Sequence, residues 1–251
     1  MTRTRQSRRP DPVYHPVMSE AASKRWLLCV AAPREVRAVL DALGMGSLEL
    51  PEPWSLIRAA DRFDLVRTGV GKSNAAGATA RVLNPGVHAG VLSVGIAGVL
   101  PGSGLELLDV VCATRSVFAD EGIGSDSGFI PMDRAGFGAF PDGSMGIEHD
   151  ELTRGHLMAH CDAEGIIATV SWCSGSDACA SGVVQRTGAI CEAMEGASVA
   201  LAARRIDPAI RTGELRVISN TTGDRGRQRW ALDDSLERLG EVLGPALSTL
   251  C

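Results

Sequence analysis

Residues 25–32 (RWLLCVAA) constrain this chain more than any other stretch. They form an almost unbroken apolar run, far shorter than a membrane span, that ends at Pro33. Such runs suit strands buried on both faces, as in a mostly parallel sheet. Pro33 is well placed as a first helical residue, and residues 35–40 continue with helical spacing until Gly44. Comparable strand-like runs recur at 89–94, 109–119, 166–172, 188–191 and 215–219, with a hairpin expected over 55–68. Helical patterns fall between them at 73–83, 150–164 and 180–187 and after Gly196. A terminal helix from Ala231 carries Leu232, Leu236, Leu239, Leu243, Leu247 and Leu250 on one face. This alternation predicts an α/β fold, and 251 residues are enough for one large domain.

Composition narrows the function. The net charge of −5 argues against a nucleic-acid partner. Seven cysteines, at 29, 112, 161, 173, 179, 191 and 251, are odd in number, show no CxxC spacing and partly sit inside apolar runs. That pattern predicts reduced thiols and a cytoplasmic protein rather than a disulfide framework. No apolar run approaches the roughly 20 residues of a membrane-spanning helix, so no membrane partner is expected. Residues 1–24 are rich in Arg and Pro and lack the apolar core of a secretory signal, which predicts a disordered arm ahead of a domain at 25–251.

Several positions invite chemistry. Glu35 falls in the first turn of a helix at the carboxyl end of the first strand, the edge where open α/β sheets place ligands. A glutamate there is equally accounted for by the helix dipole. Gly69-Val-Gly71-Lys72-Ser73-Asn74 is no Walker A loop, since Val66 stands where its first glycine belongs. Nor is it a dinucleotide fingerprint, because Asn74 replaces the third glycine; it reads as a turn into a helix. Gly95-Ile96-Ala97-Gly98 brackets a strand end with glycines, which suggests backbone lying close to a ligand. Residues 121–148, rich in Gly, Asp, Ser and Pro, read as a long loop, suited to a lid or a subunit contact. His156 and His160 lie four apart without an HExxH pattern or supporting carboxylates, so no metal is expected.

The last cluster is Glu192-Ala-Met194-Glu195-Gly196-Ala-Ser198, followed by Arg216-Val-Ile218-Ser219-Asn220. Strand, tight turn and helix would hold Glu195 at the rim of the sheet, where a carboxylate can accept two hydrogen bonds from a vicinal diol. Met194 offers a polarizable apolar surface, and Gly196 lets backbone approach closely. A plain first-turn glutamate explains Glu195 as well. Asn220 either caps the strand or reads a ligand.

Taken in order and at these spacings, Glu35, Gly95-Ile-Ala-Gly98, Met194-Glu195-Gly196 and Arg216-Val-Ile-Ser219-Asn220 resemble the nucleoside phosphorylase/nucleosidase superfamily, over about residues 25–250. Within it, residues 95–122 are most similar to the nucleosidases of the alternative menaquinone pathway. The resemblance implies a mixed, partly closed β-sheet flanked by helices, and a homo-oligomer. It implies that Glu35 activates water, that Met194 and Glu195 hold a ribose, and that Asn220 faces a purine. Gly95, Ile96, Ala97 and Gly98 would line the pocket, with Gly196 and Ser219 beside it. The implied reaction is hydrolysis of the N-glycosidic bond of a small 5′-modified inosine, with hypoxanthine released and no cofactor or metal needed. Phosphorylases of the superfamily share a Gly-Asp-Pro-x-Arg loop, where this chain has Ala31-Ala-Pro33-Arg34-Glu35, which favours water over phosphate. Adenine-releasing relatives resemble Ile-Ser-Asp at the last motif, and some stack a Phe on the base where this chain has Ala178-Cys179. An adenine-releasing nucleosidase, a phosphorylase and a non-catalytic nucleoside-binding module are the alternatives.

Overall fold

The computed structural model describes residues 24–126 and 128–250. The arm expected over 1–24 therefore lies outside the described residues, apart from Lys24. Strand β1 (Arg25–Val30) leads through Pro33 into α1 (Pro33–Ala42), as the apolar run predicted. The hairpin β2 (Leu56–Ala60) and β3 (Phe63–Arg67) precedes α2 (Lys72–Val82). The long strands β4 (His88–Val99) and β5 (Val110–Phe118) follow. Then come three short strands, β6 (Gly122–Ser125), β7 (Gly128–Pro131) and β8 (Gly146–Glu148), and helix α3 (Glu151–Met158). The chain continues through β9 (Ala163–Thr169), α4 (Asp177–Thr187), β10 (Cys191–Ala193) and α5 (Gly196–Ile206). It ends in β11 (Arg211–Thr221) and α6 (Leu232–Ser248).

Strand parity builds three layers. Alternate residues of a strand face opposite sides. Trp26, Leu28 and Val30 pack with Val36, Val39 and Leu40 of α1 and Leu239 and Leu243 of α6. Leu27 and Cys29 face the other way, onto Ala75 and Ala78 of α2 and Val199 and Ala203 of α5. Burying each of the larger aliphatic side chains contributes about 1.5–3 kcal/mol. The small alanines of α2 and α5 let those two helices pack close together against the sheet.

The sheet is mixed, in the order β10-β9-β5-β11-β4-β1-β3-β2, with β8 paired to β5. A further antiparallel pairing of β10 with β4 closes β10, β9, β5, β11 and β4 into a ring, while β1, β3 and β2 continue as an open wing. The branch lies on β4. Its early part pairs with β1 as far as Val94, and its last residues, Gly98 and Val99, pair with Glu192 and Cys191. Between them, Gly95, Ile96 and Ala97 have β11 on one side and no strand on the other. Ligands of α/β sheets collect at such a topological switch.

Several boundaries differ from the sequence expectation. The strand expected at 89–94 runs through Gly95-Ile-Ala-Gly98 to Val99, so these glycines narrow the middle of a strand instead of ending it. Residues 121–148 contain the β6–β7 hairpin and β8. The helix expected over 150–164 stops at Met158, because Ala163–Thr169 pairs with β5 and β10. That strand thus lies earlier than the expected 166–172. The short strand of the Glu192 cluster is Cys191–Ala193 rather than 188–191, and α4 begins at Asp177, capped by Ser176. The last strand extends from Arg211 to Thr221, so Asn220 lies within it rather than capping its end. The six described cysteines are free thiols. Among the described residues no helix is long and apolar enough to cross a membrane.

Candidate active site

A cavity of about 450 Å³ opens at the branch of β4. Of the residues singled out in the sequence, Glu35, Ile96, Ala97, Gly98, Met194, Glu195, Ser219 and Asn220 line it. Gly95 and Gly196 lie behind the wall, where the lack of a side chain is what counts. A Cβ on Gly95 would stand 2.3 Å from Glu35 Oε1 and 2.7 Å from Arg216 Nη1. One on Gly196 would stand 1.9 Å from Glu214 Oε2. Any larger residue would push charged groups out of place.

Glu35 is only 5% exposed. Its Oε2 accepts from the backbone N–H of Ala32 (2.8 Å), the returning half of a capping box. Its Oε1 accepts from the N–H of Ile96 (3.0 Å), which lies on the stretch of β4 that has no neighbouring strand on that side. The helix-terminus explanation is thus incomplete, since the same carboxyl is also tied to a second element. Burial raises the Glu35 pKa above the ordinary glutamate value; Arg216 opposes the rise, Glu195 adds to it, and the two backbone donors oppose it.

Glu195 stands at the start of α5, just beyond β10, and is equally buried. Its Oε1 accepts from the N–H of Gly71 (3.0 Å), and its Oε2 lies 3.3 Å from Arg216 Nη1. The Gly-rich turn before α2 thus has a use: Gly71, at φ 93°, aims its amide at Glu195. A carboxylate oxygen has two acceptor sites, so each oxygen of Glu35 and Glu195 retains one for a ligand.

Arg216 joins the two sides. It is fully buried, donates from Nε to Glu214 Oε1 (2.8 Å) and from Nη2 to Ser93 Oγ (2.8 Å), and faces Glu195 through Nη1. Burial disfavours its charge, but Glu214, Glu195 and Glu35 outweigh that and raise its pKa. Behind it Glu214 Oε2 accepts from Ser116 Oγ. Ser116 Oγ lies 2.7 Å from His149 Nε2, and His149 Nδ1 lies 3.0 Å from Thr212 Oγ1. Burial holds the His149 pKa down at about 4. A charged residue two positions from another in an apolar strand is the sequence signal for this chain of bonds. Thr212, Glu214 and Arg216 share one face of β11.

The other end of the cavity carries a neutral amide, Asn220, with Glu192 across Gly98 from it. The register of β11 against β4 shifts between Ile218 and Asn220, leaving Ser219 out of the pairing. Irregularities of this kind re-aim side chains beside functional sites. Ser219 Oγ contacts Asn220 Oδ1 at 3.0 Å, and Asn220 Nδ2 donates one hydrogen to the Thr221 carbonyl (3.1 Å). The second hydrogen of that amide is not used in these contacts. Gly98 makes room for it, since a Cβ there would come within 3.0 Å of Asn220 Nδ2. Ala178 and Cys179, which stand where some relatives stack a Phe, do not line the cavity; they line an adjoining depression that shares Val170 and Cys173 with it. The aromatic residue in the wall is Trp230, from the segment before α6. Glu192, which opens the Met194-Glu195 cluster and was given no role in the sequence, accepts from Ser174 N and Ser174 Oγ, both at 2.7 Å, and burial raises its pKa. Among the described residues no group of three or more His, Cys, Asp or Glu could hold a metal ion.

The family model described as the phosphorylase superfamily matches residues 60–248. The chain belongs to this superfamily. It is 36% identical over 231 residues to the futalosine hydrolase of Acidothermus cellulolyticus, covering 91% of this chain and 93% of that protein. To the futalosine hydrolase of Streptomyces coelicolor it is 32% identical over 229 residues, covering 87% and 93%. Among solved structures, a mutant Helicobacter pylori MTAN with 5′-methylthioadenosine in its active site superposes with a TM-score of 0.71 at 21% identity, over 90% of this chain and 99% of that one. A mutant futalosine hydrolase of the same organism gives 0.69 at 19% identity, over 90% and 99%. At these identities the superpositions show the superfamily fold, including the mixed sheet flanked by helices.

Proposed function

We propose that this chain is a nucleosidase that hydrolyses the N-glycosidic bond of futalosine, releasing hypoxanthine and dehypoxanthine futalosine. The observation that carries the chemistry is two buried carboxyl groups, Glu35 and Glu195, on one cavity wall with Arg216 between them. The curated relatives' names supply the substrate.

In this mechanism the ribose diol binds Glu195 through its remaining acceptor sites, with Met194 against the sugar. Water held by Glu35 attacks C1′, and its proton passes to Glu35. The C1′–N9 electron pair leaves with the purine, which takes its proton from solvent. Glu195 favours the cationic sugar electrostatically. Asn220 donates its second amide hydrogen to N7 or O6 of the departing base, which suits a 6-oxopurine. The rest of the assignment is a homo-oligomer, supported by the family resemblance, in the cytoplasm, supported by the pattern of unpaired cysteines.

Phosphate fits this cavity poorly as a nucleophile. Glu35, Glu192 and Glu195 would repel it; among the described lining residues the cation is Arg34, and Arg216 behind the wall is already paired with Glu195 and Glu214. An adenine-releasing nucleosidase is the second reading, favoured by the fold shared with the methylthioadenosine nucleosidase. Incubation with futalosine, its 6-amino analogue, methylthioadenosine and inosine tests the choice. Hypoxanthine released fastest from futalosine is the expected result; faster release of adenine from either 6-amino substrate would overturn it.

A further inference from the structure

The cavity's charges are unevenly placed. Its interior carries three carboxyl groups, Glu35, Glu192 and Glu195, with Arg216 behind them committed to Glu195 and Glu214; among the described lining residues the cation is Arg34, on the first turn of α1 with a side chain 59% exposed. The walls around it, from Pro33, Val70, Trp230, Leu232 and Leu236, are apolar. Beyond Arg34 lies a second depression of about 410 Å³ between α1 and α6, which shares Arg34 and Leu236 with the first. Arg34 thus stands at the threshold between the two. Its ion-pair partner is Asp233 of α6, itself 82% exposed. Exposed pairs of this kind contribute little and exchange readily. The other arginine of the second depression, Arg37, already donates its terminal nitrogens to the carbonyls of Gly46 and Leu48.

We infer that Arg34 is the specificity residue that receives a carboxylate at the end of the substrate's 5′ substituent, exchanging Asp233 for it. The inference rests on the nucleosidase reading above. With purine at Asn220 and ribose at Glu195, the 5′ substituent leaves the cavity over the apolar rim. An anion on it is repelled from the interior and finds its counter-charge at Arg34. Charge therefore orients the substrate as well as binding it. A charge-assisted, forked guanidinium–carboxylate contact is directional and among the stronger hydrogen bonds.

The test compares futalosine with its methyl ester, which keeps the skeleton and removes the charge. Wild-type protein should favour the acid by about ten- to a hundredfold in kcat/KM, mainly through KM. Arg34→Gln should bring the acid/ester ratio close to one, Arg34→Lys should restore part of it, and Asp233→Asn should raise it a few-fold. Arg34 is exposed on a helix's first turn, so these variants test recognition rather than folding. An acid/ester ratio unchanged by Arg34→Gln would overturn the inference while leaving the nucleosidase reading in place. Wild-type protein that cleaves neither compound would overturn both.

Discussion

The two ends of the cavity are built differently. At the sugar end, Glu35, Glu195, Arg216 and Glu214 are at most 6% exposed and are tied through Ser116 and His149 to Thr212. Glu35, Glu195, Arg216 and Glu214 each have two or more partners, at least one of them on another element. At the base end, Asn220 is half-buried and is held by its immediate neighbours Ser219 and Thr221, while Trp230 is 61% exposed. Charges in a low-dielectric wall must be over-determined, because an unpaired one costs several kcal/mol. A neutral amide at a strand irregularity carries no such requirement. In the proposed reaction the chemistry is therefore locked into the core, and base selectivity is left where one substitution can change it.

That contrast can be broken first at Glu35. Glu35→Gln should lower kcat at least about 10²-fold with little loss of binding, as expected for a lost general base. Because the wild-type pKa is raised by burial, the acid limb of kcat/KM should lie above the ordinary glutamate range and should be absent from the variant's residual activity. A variant with near-normal kcat would remove Glu35 from the reaction. Arg216→Met should cost about 3–5 kcal/mol of stability by leaving buried carboxyl groups without their partner. Asn220→Ala, measured alongside by thermal unfolding, should change Tm far less. Equal shifts would abolish the distinction between the two ends.

A change of selectivity should follow from Asn220→Asp. An ionised carboxylate only accepts, so it faces O6 of hypoxanthine with like polarity, while a protonated one can serve adenine. One unpaired buried group costs about 1–3 kcal/mol. The ratio of kcat/KM for futalosine to that for its 6-amino analogue should therefore fall by one to two orders of magnitude. Both rates falling together would show that Asn220 does not read the base. A pH effect concerns His149, whose pKa is about 4 in the folded chain against 6.5 for the free side chain. Below pH 6.5 the unfolded chain takes up a proton that the folded one refuses. His149 therefore contributes stability above that pH, which is lost as the pH falls towards 4 and is on the order of 3 kcal/mol. His149→Gln should flatten the fall of Tm between pH 6.5 and 4; an unchanged slope would mean that His149 is charged in the fold.

The sequence exposed what is local. The run 25–32 followed by Pro33 placed Glu35 at a helix start, and the turn after Ala193 placed Glu195 at another. Both rest on strand parity, capping and turn chemistry within a few residues. The ring closure was not legible from β4 itself, where glycines were read as a strand end. They are needed because Glu35, Arg216 and Asn220 press against that strand. Nor did the amphipathic pattern over 150–164 show that the helix would stop at Met158 and its last two residues, Ala163 and Glu164, would open a strand paired with β5. The Arg216–Glu214–Ser116–His149 chain draws on β11, β5 and the residue before the α3 cap, so only the fold assembles it. Its one local trace was a pair of opposite charges at strand spacing inside an apolar run.

The central claim is that the carboxyl-lined end delivers water to C1′ and has no use for phosphate. The most direct measurement is to identify the sugar product of wild-type protein and futalosine, with and without excess inorganic phosphate. The account predicts the same free dehypoxanthine futalosine at the same rate in both, with one hypoxanthine released per sugar. A sugar 1-phosphate, or turnover that requires phosphate, would contradict it.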